Sequence, residues 1–517
     1  MTHIDRPVHR LGGRALVPVL GLGAMVVSMM QTLVVPILGI IERDLHTTVV
    51  DANWLTTATL LSAAICTPLF GRFGDQYGTK PMLIGVLALA LAGSVLAAIS
   101  TALPWLIVAR ALQGSATAIF PLAQSVLRDR LPPERLPGAM GLVSGTLAFG
   151  TGVALVGAGL LTRGPAPDYH HVFWMAAGVS ALALLAVAVV VPPSRATPGG
   201  PTDWLGALTL AAMLTLLLVP LSRGSIWGWS SGTTLGCLAG AAVMAAVWAL
   251  VEHRSREPLV DMRMLVVPHV LFANLAGLLL GFAMFSQFLG VSALVQIPAE
   301  PDGYGFGATV LQASVGYLMP SAMASLIAAR AGGALVRRIG AHQTLAAGAA
   351  CGAAGFAVLA VAHGTTCSVV VAGVLVGVAV SFGFATLPAV LLGSVPSHRT
   401  GIANGINSVF RSVGSSLASA LIGTLLMVKP AEQLTPGASI LPSEGRFTWC
   451  FCLAAGAFVL VVVLALAGLW RPAPAGSPRL RAVNSRRWNV PRRWTLRNVR
   501  STSTPRLKNS ERENTWR

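Results

Sequence analysis

The stretch GRFGDQYGTKP, residues 71–81, stands between two long apolar runs and is far more polar than either. Gly71 and Gly78 flank Asp75, and Lys80 follows. The glycines would let two helices approach closely, so that Asp75 could accept hydrogen bonds from a helix N-terminus or from an arginine on a neighbouring helix. The stretch predicts a short link between two membrane helices, with Asp75 as a latch. The alternative is a loop charge that only sets membrane topology.

The composition around this stretch is that of an integral membrane protein. Of 517 residues, 54% are hydrophobic and only 10% are charged, and the mean hydropathy is +0.72. A soluble chain of this length would need far more charge to cover the surfaces of its several domains. The 55 glycines suit close helix packing in lipid. We therefore predict an all-α fold.

The apolar runs predict about fourteen membrane-spanning helices, since about 20 apolar residues in helical form cross the hydrocarbon layer. The predicted span 205–222 is short, and Pro220 is expected to lie at its end. The predicted spans are 15–41, 52–71, 81–100, 103–126, 138–162, 172–192, 205–222, 232–252, 268–297, 308–330, 341–362, 366–392, 400–428 and 447–470.

The distribution of basic residues predicts the topology. If both termini are cytoplasmic, the inner loops and N-terminus hold sixteen Lys and Arg and the outer loops hold five, as the positive-inside rule requires. Thirteen more lie in residues 471–517, where no apolar periodicity persists, so we expect a disordered cytoplasmic tail. The net charge of +18 is thus arranged around a membrane, which argues against a nucleic-acid partner. We expect a plasma-membrane location, contact with membrane lipids and a monomer.

Two pairs of similar segments, called sequence echoes below, indicate a duplicated helical bundle. GRFGDQYG (71–78) is echoed by GALVRRIG (333–340), and GLVSGTLAFG (141–150) by GINSVFRSVG (405–414), at offsets of 262 and 264 residues. The first echo places Arg337 and Arg338 in the second copy of the predicted gate.

The duplication predicts two pseudo-repeated six-helix bundles with an inserted helix pair. The predicted domains are a first bundle at 1–192, a linker and inserted pair at 193–265, a second bundle at 266–470 and the tail at 471–517.

Two arginines fall inside predicted helices, and we take them as candidates for a proton or substrate pathway. Arg110 is accompanied by Gln113, while Asn407 lies one turn from Arg411. Gln31 is a polar residue of the first helix and a further candidate. The alternative for Arg110 is snorkelling to the interface, and for Arg411 a structural hydrogen bond to the carbonyls of a broken helix.

The fifth predicted helix carries glycines on one face. Gly145, Gly152 and Gly159 recur at seven-residue spacing. Small residues in such a line let two membrane helices approach closely. We predict that they are helix-packing glycines.

The stretch 71–81 resembles the loop motif that joins helices two and three in the major facilitator superfamily. Gly71, Asp75, Gly78 and Lys80 match that motif, whereas Gln76 and Thr79 replace basic residues. ARALQGSATA (109–118) resembles the fourth-helix motif of the family through Arg110, Gln113 and Gly114.

The resemblance covers about residues 14 to 470, and the helix count resembles that of the fourteen-helix drug:proton antiporter branch. It implies transport of a small-molecule substrate and a role for Arg110 in proton handling. The fifth helix of that branch carries a proline in a glycine-rich motif, and residues 138–162 contain none.

The middles of the predicted helices contain neither acidic residues nor histidines, which limits the chemistry that the chain could perform there. All acidic residues and histidines fall in loops, helix ends or the tail, and no P-loop pattern occurs. We therefore expect no enzyme activity, no cofactor and no metal.

The function predicted is secondary active export of small amphipathic organic compounds such as drugs, antibiotics or metabolites, with protons as the coupling ion. Two alternatives stay open. One is a solute importer or uniporter without proton coupling, and the other is a non-transporting membrane receptor or scaffold.

Overall fold

A computed structural model describes residues 10–466, apart from 53, 133, 164–166, 195–202, 256–257, 259, 300–303, 396–399 and 427–441. The predicted tail, residues 471–517, lies outside the described residues, so the expectation for it is untested.

The described residues form helices and no strand, and fourteen of the helices are long and apolar enough to cross a membrane. The predicted all-α membrane fold is confirmed. The helices are α1 (Arg10–Thr32, with Val35–Ile37 and Leu38–Asp44), α2 (Trp54–Tyr77), α3 (Thr79–Ile99), α4 (Leu103–Gly114, Ser115–Ala118 and Ile119–Arg130), α5 (Leu136–Leu161), α6 (His170–Val190), α7 (Trp204–Trp227), α8 (Gly232–Arg254), α9 (Pro268–Gln296), α10 (Val310–Gln312, Ala313–Leu318 and Met319–Ile339), α11 (Ala341–Val361), α12 (Thr366–Ser394), α13 (Thr400–Leu426) and α14 (Glu444–Leu466).

Two of these helices contain irregular turns within the membrane span. In α4 the segment Ser115–Ala118 is a 3₁₀-helix, and in α10 the segment Ala313–Leu318 is a π-helix. The 3₁₀ turn follows Gly114, where a Cβ atom would collide with the carbonyl oxygen of Thr59 on α2. Such turns often mark functional hinges, and the turn in α4 lies next to the predicted site residues of that helix.

The helix α7 is longer than the sequence predicts. Pro220 was expected to end it near residue 222, but the helix continues through the proline to Trp227. A proline is tolerated within a membrane helix because neighbouring groups satisfy the backbone carbonyl that it frees. Arg223 consequently lies in a helix, where its side chain is buried, and not in an outer loop.

The packing of the helices follows the predicted fold class. Apart from α5, helices α1 to α6 pack mainly on one another, and α9 to α14 likewise pack mainly on one another. Helices α7 and α8 pack together, and α7 also contacts α2 and α13. The residue bounds of the domains given above remain a prediction.

Two helix pairs make most of the contacts between the first six helices and the last six, and the repeat offset relates them. These pairs are α2 with α13 and α5 with α10. A Cβ atom at Gly405 would lie 3.2 Å from the carbonyl oxygen of Thr67, and one at Gly141 would collide with that of Ala329. The second echo pairs residues 141 and 405, and the offset of the first echo, extended by four residues, pairs 67 and 329. The equivalent contact therefore occurs twice, as expected for two related bundles.

We call the side on which α2 ends at Tyr77 and α10 ends at Ile339 the inner side, after the predicted topology.

Candidate functional site

Asp75 lies in the last turn of α2, and its carboxylate faces the start of α13 on the inner side. Its oxygens accept hydrogen bonds from the backbone N–H groups of Gly401 (3.3 Å) and Ile402 (3.2 Å). The first N–H groups of a helix have no partner within the helix and carry the positive end of its dipole. Asp75 therefore joins a helix of the first half to one of the second by a charge-assisted contact.

Glycines on both helices make this contact sterically feasible. A Cβ atom at Gly71 would lie 2.8 Å from the carbonyl oxygen of Gly401. A Cβ atom at Gly401 would lie 2.7 Å from the Oδ1 of Asp75. Any side chain at either position would push the helices apart and lengthen the hydrogen bonds of the carboxylate. The gating role of Asp75 remains a prediction.

Gly78 and Lys80 contact a different element from Asp75. Gly78 has a φ of +100°, a conformation suited to glycine, at the turn from α2 to α3. The backbone N–H of Lys80 donates to Ser194 Oγ (3.0 Å), and its Nζ donates to the carbonyl oxygen of Ala188 (2.8 Å). These contacts tie the start of α3 to the end of α6, within the first half. The structure does not bring Gly78 and Lys80 to α13.

Arg337 and Arg338 end α10 and are exposed. A Cβ atom at Gly138 would lie 3.5 Å from the Nη1 of Arg337, so this guanidinium lies beside the start of α5. That position is equivalent to the place of Asp75 beside the start of α13. A cation is unfavourable at a helix N-terminus, where an anion is favoured. The two inner contacts are thus similar in shape and opposite in charge.

Arg110 is fully buried in the first half. Its Nη1 donates to Gln113 Oε1 (2.6 Å), and its Nε donates to the carbonyl oxygen of Leu55 (3.3 Å). Gln113 Nε2 in turn donates to Ser94 Oγ (3.0 Å). The Nη2 of Arg110 has no hydrogen-bond partner in the described part of the chain. Burial this complete excludes snorkelling to the interface.

Gln31 lies near this network without joining it. Its Nε2 donates to Thr117 Oγ1 (3.3 Å), which belongs to the 3₁₀ turn of α4. This hydrogen bond links α1 to the irregular turn of α4.

Arg411 lies in the middle of α13 with 8% of its surface exposed. Its guanidinium carbon is 5.5 Å from the ring centroid of Phe120 and 4.9 Å from that of Phe384. Phe120 belongs to α4 in the first half and Phe384 to α12 in the second, and their rings meet edge to face at 5.5 Å. Arg411 is therefore a buried cation at the interface of the halves.

Asn407 forms its hydrogen bonds with α9, away from Arg411. Its Nδ2 donates to the carbonyl oxygen of Ala273 (2.8 Å) and to Asn274 Oδ1 (3.3 Å), both on α9. The two candidates on α13 thus have different partners, since Asn407 contacts α9 and Arg411 faces α4 and α12.

The predicted packing glycines of α5 face α10. A Cβ atom added at Gly145 would lie 2.8 Å from Ala329 Cβ. One added at Gly152 would lie 3.4 Å from Ala322 Cβ, and one added at Gly159 would lie 2.9 Å from Leu311 Cδ1. The glycine face therefore lies at the second contact between the halves.

Sequence reasoning missed the aromatic partners of the buried cations. The guanidinium carbon of Arg223 lies 4.4 Å from the ring centroid of Trp54, and the Nε and Nη2 of Arg223 have no hydrogen-bond partner within the described residues. Phe120 and Phe384 gave no signal because an aromatic residue in an apolar helix is ordinary. The unbroken apolar pattern across Pro220 was the one sign that Arg223 lies within a helix.

The carboxylates of the described membrane helices lie at helix ends. These residues are Glu42, Asp44, Asp75, Asp129, Glu252 and Glu444. In the same part of the chain, neither Arg110 nor Arg411 has a carboxylate within ion-pair distance.

Two related helical bundles that meet at a buried polar site form the architecture of a secondary transporter. The sequence model of the Major Facilitator Superfamily matches residues 20–419 and, in a second match, 280–502. The chain belongs to this superfamily, and fourteen of its described helices are long and apolar enough to cross a membrane.

Similar proteins include transporters named for export or resistance. Two relatives from Mycobacterium tuberculosis, named uncharacterized MFS-type transporters, are each 31% identical over 84% of this chain. The matched region spans 64% of the length of each. The tetracenomycin C resistance and export protein of Streptomyces glaucescens is 28% identical over 78% of this chain and 74% of its own length. Multidrug resistance protein 3 of Bacillus subtilis is 26% identical over 78% of both chains.

A solved structure supports the fold. The crystal structure of a human organic anion transporter matches with a TM-score of 0.61 over 87% of this chain and 99% of that one. Because the sequence identity is 13%, the match shows similarity of the fold alone.

Proposed function

We propose that the protein exports small amphipathic organic compounds across the plasma membrane as a secondary active transporter driven by the proton gradient. The names of the relatives from Streptomyces glaucescens and Bacillus subtilis support export of drug-like compounds. Both termini are cytoplasmic in this proposal, and the protein acts as a monomer among membrane lipids. It has no catalytic role.

The observation that carries this proposal is the hydrogen-bonded contact of Asp75 with Gly401 and Ile402. It bridges the halves on the inner side, so the inner side opens only when this contact breaks. Alternating access needs contacts of this kind, which close one side of the site while the other is open. The bounds 1–192, 193–265 and 266–470 for the first bundle, the inserted pair and the second bundle belong to this proposal.

The alternative of an importer or uniporter without proton coupling has one specific observation in its favour. The carboxylates of the described membrane helices lie at helix ends, whereas an ionisable residue near the midplane would mark a proton path through the site. In the exporter proposal, proton coupling therefore runs through a group at a helix end, with Asp75 as the candidate.

The deciding experiment is transport by the full-length protein in vesicles. The protein is reconstituted with an imposed pH gradient and supplied with a panel of lipophilic dyes and antibiotics. The exporter proposal expects dye movement that depends on the gradient and stops when an ionophore collapses it. Movement at an unchanged rate after collapse would support the uniporter, and absence of movement for the whole panel would contradict export of amphipathic compounds.

A further inference from the structure

The second half carries a buried positive charge that no described residue neutralises. Arg411 is more than nine-tenths buried at the middle of a membrane helix. A buried charge is costly unless it is paired and hydrogen-bonded. Within the described residues, no carboxylate pairs with it. The protein therefore holds an arginine where a partner from outside the chain would be strongly favoured.

The geometry of the site leaves the hydrogen-bond donors of Arg411 largely unused. Phe120 and Phe384 contact the guanidinium through their rings, an interaction with the face of the aromatic system. The guanidinium group has five N–H donors. One hydrogen bond is formed in the described structure, from Nη2 to Ser408 Oγ (3.1 Å). The remaining donors are free for a ligand.

Further donors lie on the same two helix faces. Asn404 is seven residues before Arg411 on α13 and shares its face, and Gln124 is four residues after Phe120 on α4. Both side chains are buried, and neither Asn404 Nδ2 nor Gln124 Nε2 has an acceptor among the described residues. The surroundings of Arg411 are thus rich in donors and poor in acceptors.

We propose that Arg411 binds the anionic group of an amphipathic organic anion, whose apolar body packs against Phe120 and Phe384. The class comprises compounds with a carboxylate, sulfonate or phosphate on an aromatic or alkyl body. The in-plane N–H groups of arginine match the oxygens of such anions, while the two rings supply an apolar wall. This inference rests on the proposed function and assigns the substrate class to it.

Binding by the full-length protein in detergent tests this assignment without any variant. The probes are naphthalene-2-sulfonate, the uncharged methyl 2-naphthyl sulfone and the cationic 2-naphthylmethylammonium, which share one aromatic body. We expect the sulfonate to bind at least about tenfold more tightly than the sulfone, because a hydrogen bond to a charged group is stronger than one to a neutral group. Equal affinity for the sulfonate and the sulfone, or tighter binding of the cation, would overturn the assignment. So would equal competition by chloride or sulfate alone, because the apolar body would then contribute nothing.

Substitutions at Arg411 test whether the preference for the sulfonate depends on this residue. Arg411→Gln should lower sulfonate affinity by about tenfold or more and sulfone affinity by less than about threefold. Arg411→Lys, which keeps the charge and loses the planar fork, should fall between the wild type and Arg411→Gln. Arg163→Gln is the matched control, because Arg163 is an exposed arginine after α5, and it should bind like the wild type. A sulfonate preference that survives Arg411→Gln would overturn the role of Arg411.

Different results would contradict the export proposal and the assignment of an anionic substrate to Arg411. Gradient-driven export of dyes without a preference for anions would leave the transport function standing and remove this inference. Sulfonate binding that depends on Arg411 in a protein that moves no dye against a gradient would leave the site standing and remove the export proposal.

Discussion

Among single residues, Asp75 is the one proposed to latch the inner side, because its carboxylate accepts hydrogen bonds from two N–H groups at the start of α13. Asp75→Asn removes the negative charge and keeps the size of the side chain. A charge near a helix N-terminus contributes about 0.5–2 kcal/mol, so the inner-closed population should fall by about twofold to thirtyfold relative to the open one. We expect a shift towards the inner-open state and altered transport.

The measurement is the distance between spin labels at Glu134→Cys and Gln343→Cys in a background without the native cysteines. Both positions are exposed, one before α5 and one at the start of α11. Asp51→Asn is the control, because Asp51 is an exposed carboxylate whose side-chain hydrogen bond is to Thr48. Unchanged distances and transport in Asp75→Asn would reduce Asp75 to a topology signal.

The residues of the site were predictable from the sequence in so far as they conflict with a membrane. Arg110 and Arg411 stand out because charge is rare in membrane helices, and the structure places both in buried positions. Their partners were not predictable. Phe120 and Phe384 meet Arg411 from two other helices, and a helical period shows which residues share a face but not which helices come together.

At the level of elements, the glycine face of α5 sets how closely the halves approach. A Cβ atom at Gly145 would lie 2.8 Å from Ala329 Cβ and 3.1 Å from Leu326 Cα, both on α10. A Cβ atom at Gly152 would meet Ala322 Cβ at 3.4 Å, which is close to an ordinary contact. The same substitution on the same face should therefore have different effects at the two sites.

Gly145→Ala should destabilise the protein by about 1–3 kcal/mol, because α5 and α10 must separate to admit the methyl group. Gly152→Ala should be neutral or slightly stabilising, since alanine favours a helix by about 1 kcal/mol over glycine. Thermal unfolding in detergent and dye transport measure both effects. Gly178→Ala on α6, where no atom lies within 4 Å of the added Cβ, is the control for helix propensity. Equal losses at Gly145 and Gly152 would contradict the packing argument.

Element boundaries were predicted well where apolar runs end in charged or glycine-rich loops, and poorly where a proline was taken as a stop. The span predicted at 268–297 is observed as Pro268–Gln296. The span predicted at 205–222 is observed as Trp204–Trp227, because Pro220 lies within the helix. In water the lost hydrogen bond and ring clash of a proline usually break a helix. In lipid an unfolded backbone costs more, so the helix persists.

On the scale of the whole molecule, the two halves are alike in shape and unlike in charge. Asp75 and Arg337 occupy the fifth positions of the two sequence echoes. Asp75 accepts two N–H groups at the start of α13, whereas Arg337 presents a cation to the start of α5 near Gly138. One of the two inner contacts therefore contains a charge-assisted hydrogen bond, and the other places a cation at a helix N-terminus. Opening the inner side should therefore need less free energy than it would if both contacts contained such a hydrogen bond.

Arg337→Asp would make the second contact electrically similar to the first. An aspartate there would face the start of α5, where Gly138 has an N–H group and Pro137 has none. With about 0.5–2 kcal/mol from the helix dipole, we expect a larger inner-closed population, shorter distances between labels at Glu134→Cys and Gln343→Cys, and slower transport. Arg338→Asp makes the same charge change one residue away, about 100° around the helix, and should leave the label distances unchanged. A wider inner side in Arg337→Asp, or equal effects of the two substitutions, would show that charge at the start of α5 does not control opening, and closure would then depend on the glycine contacts alone.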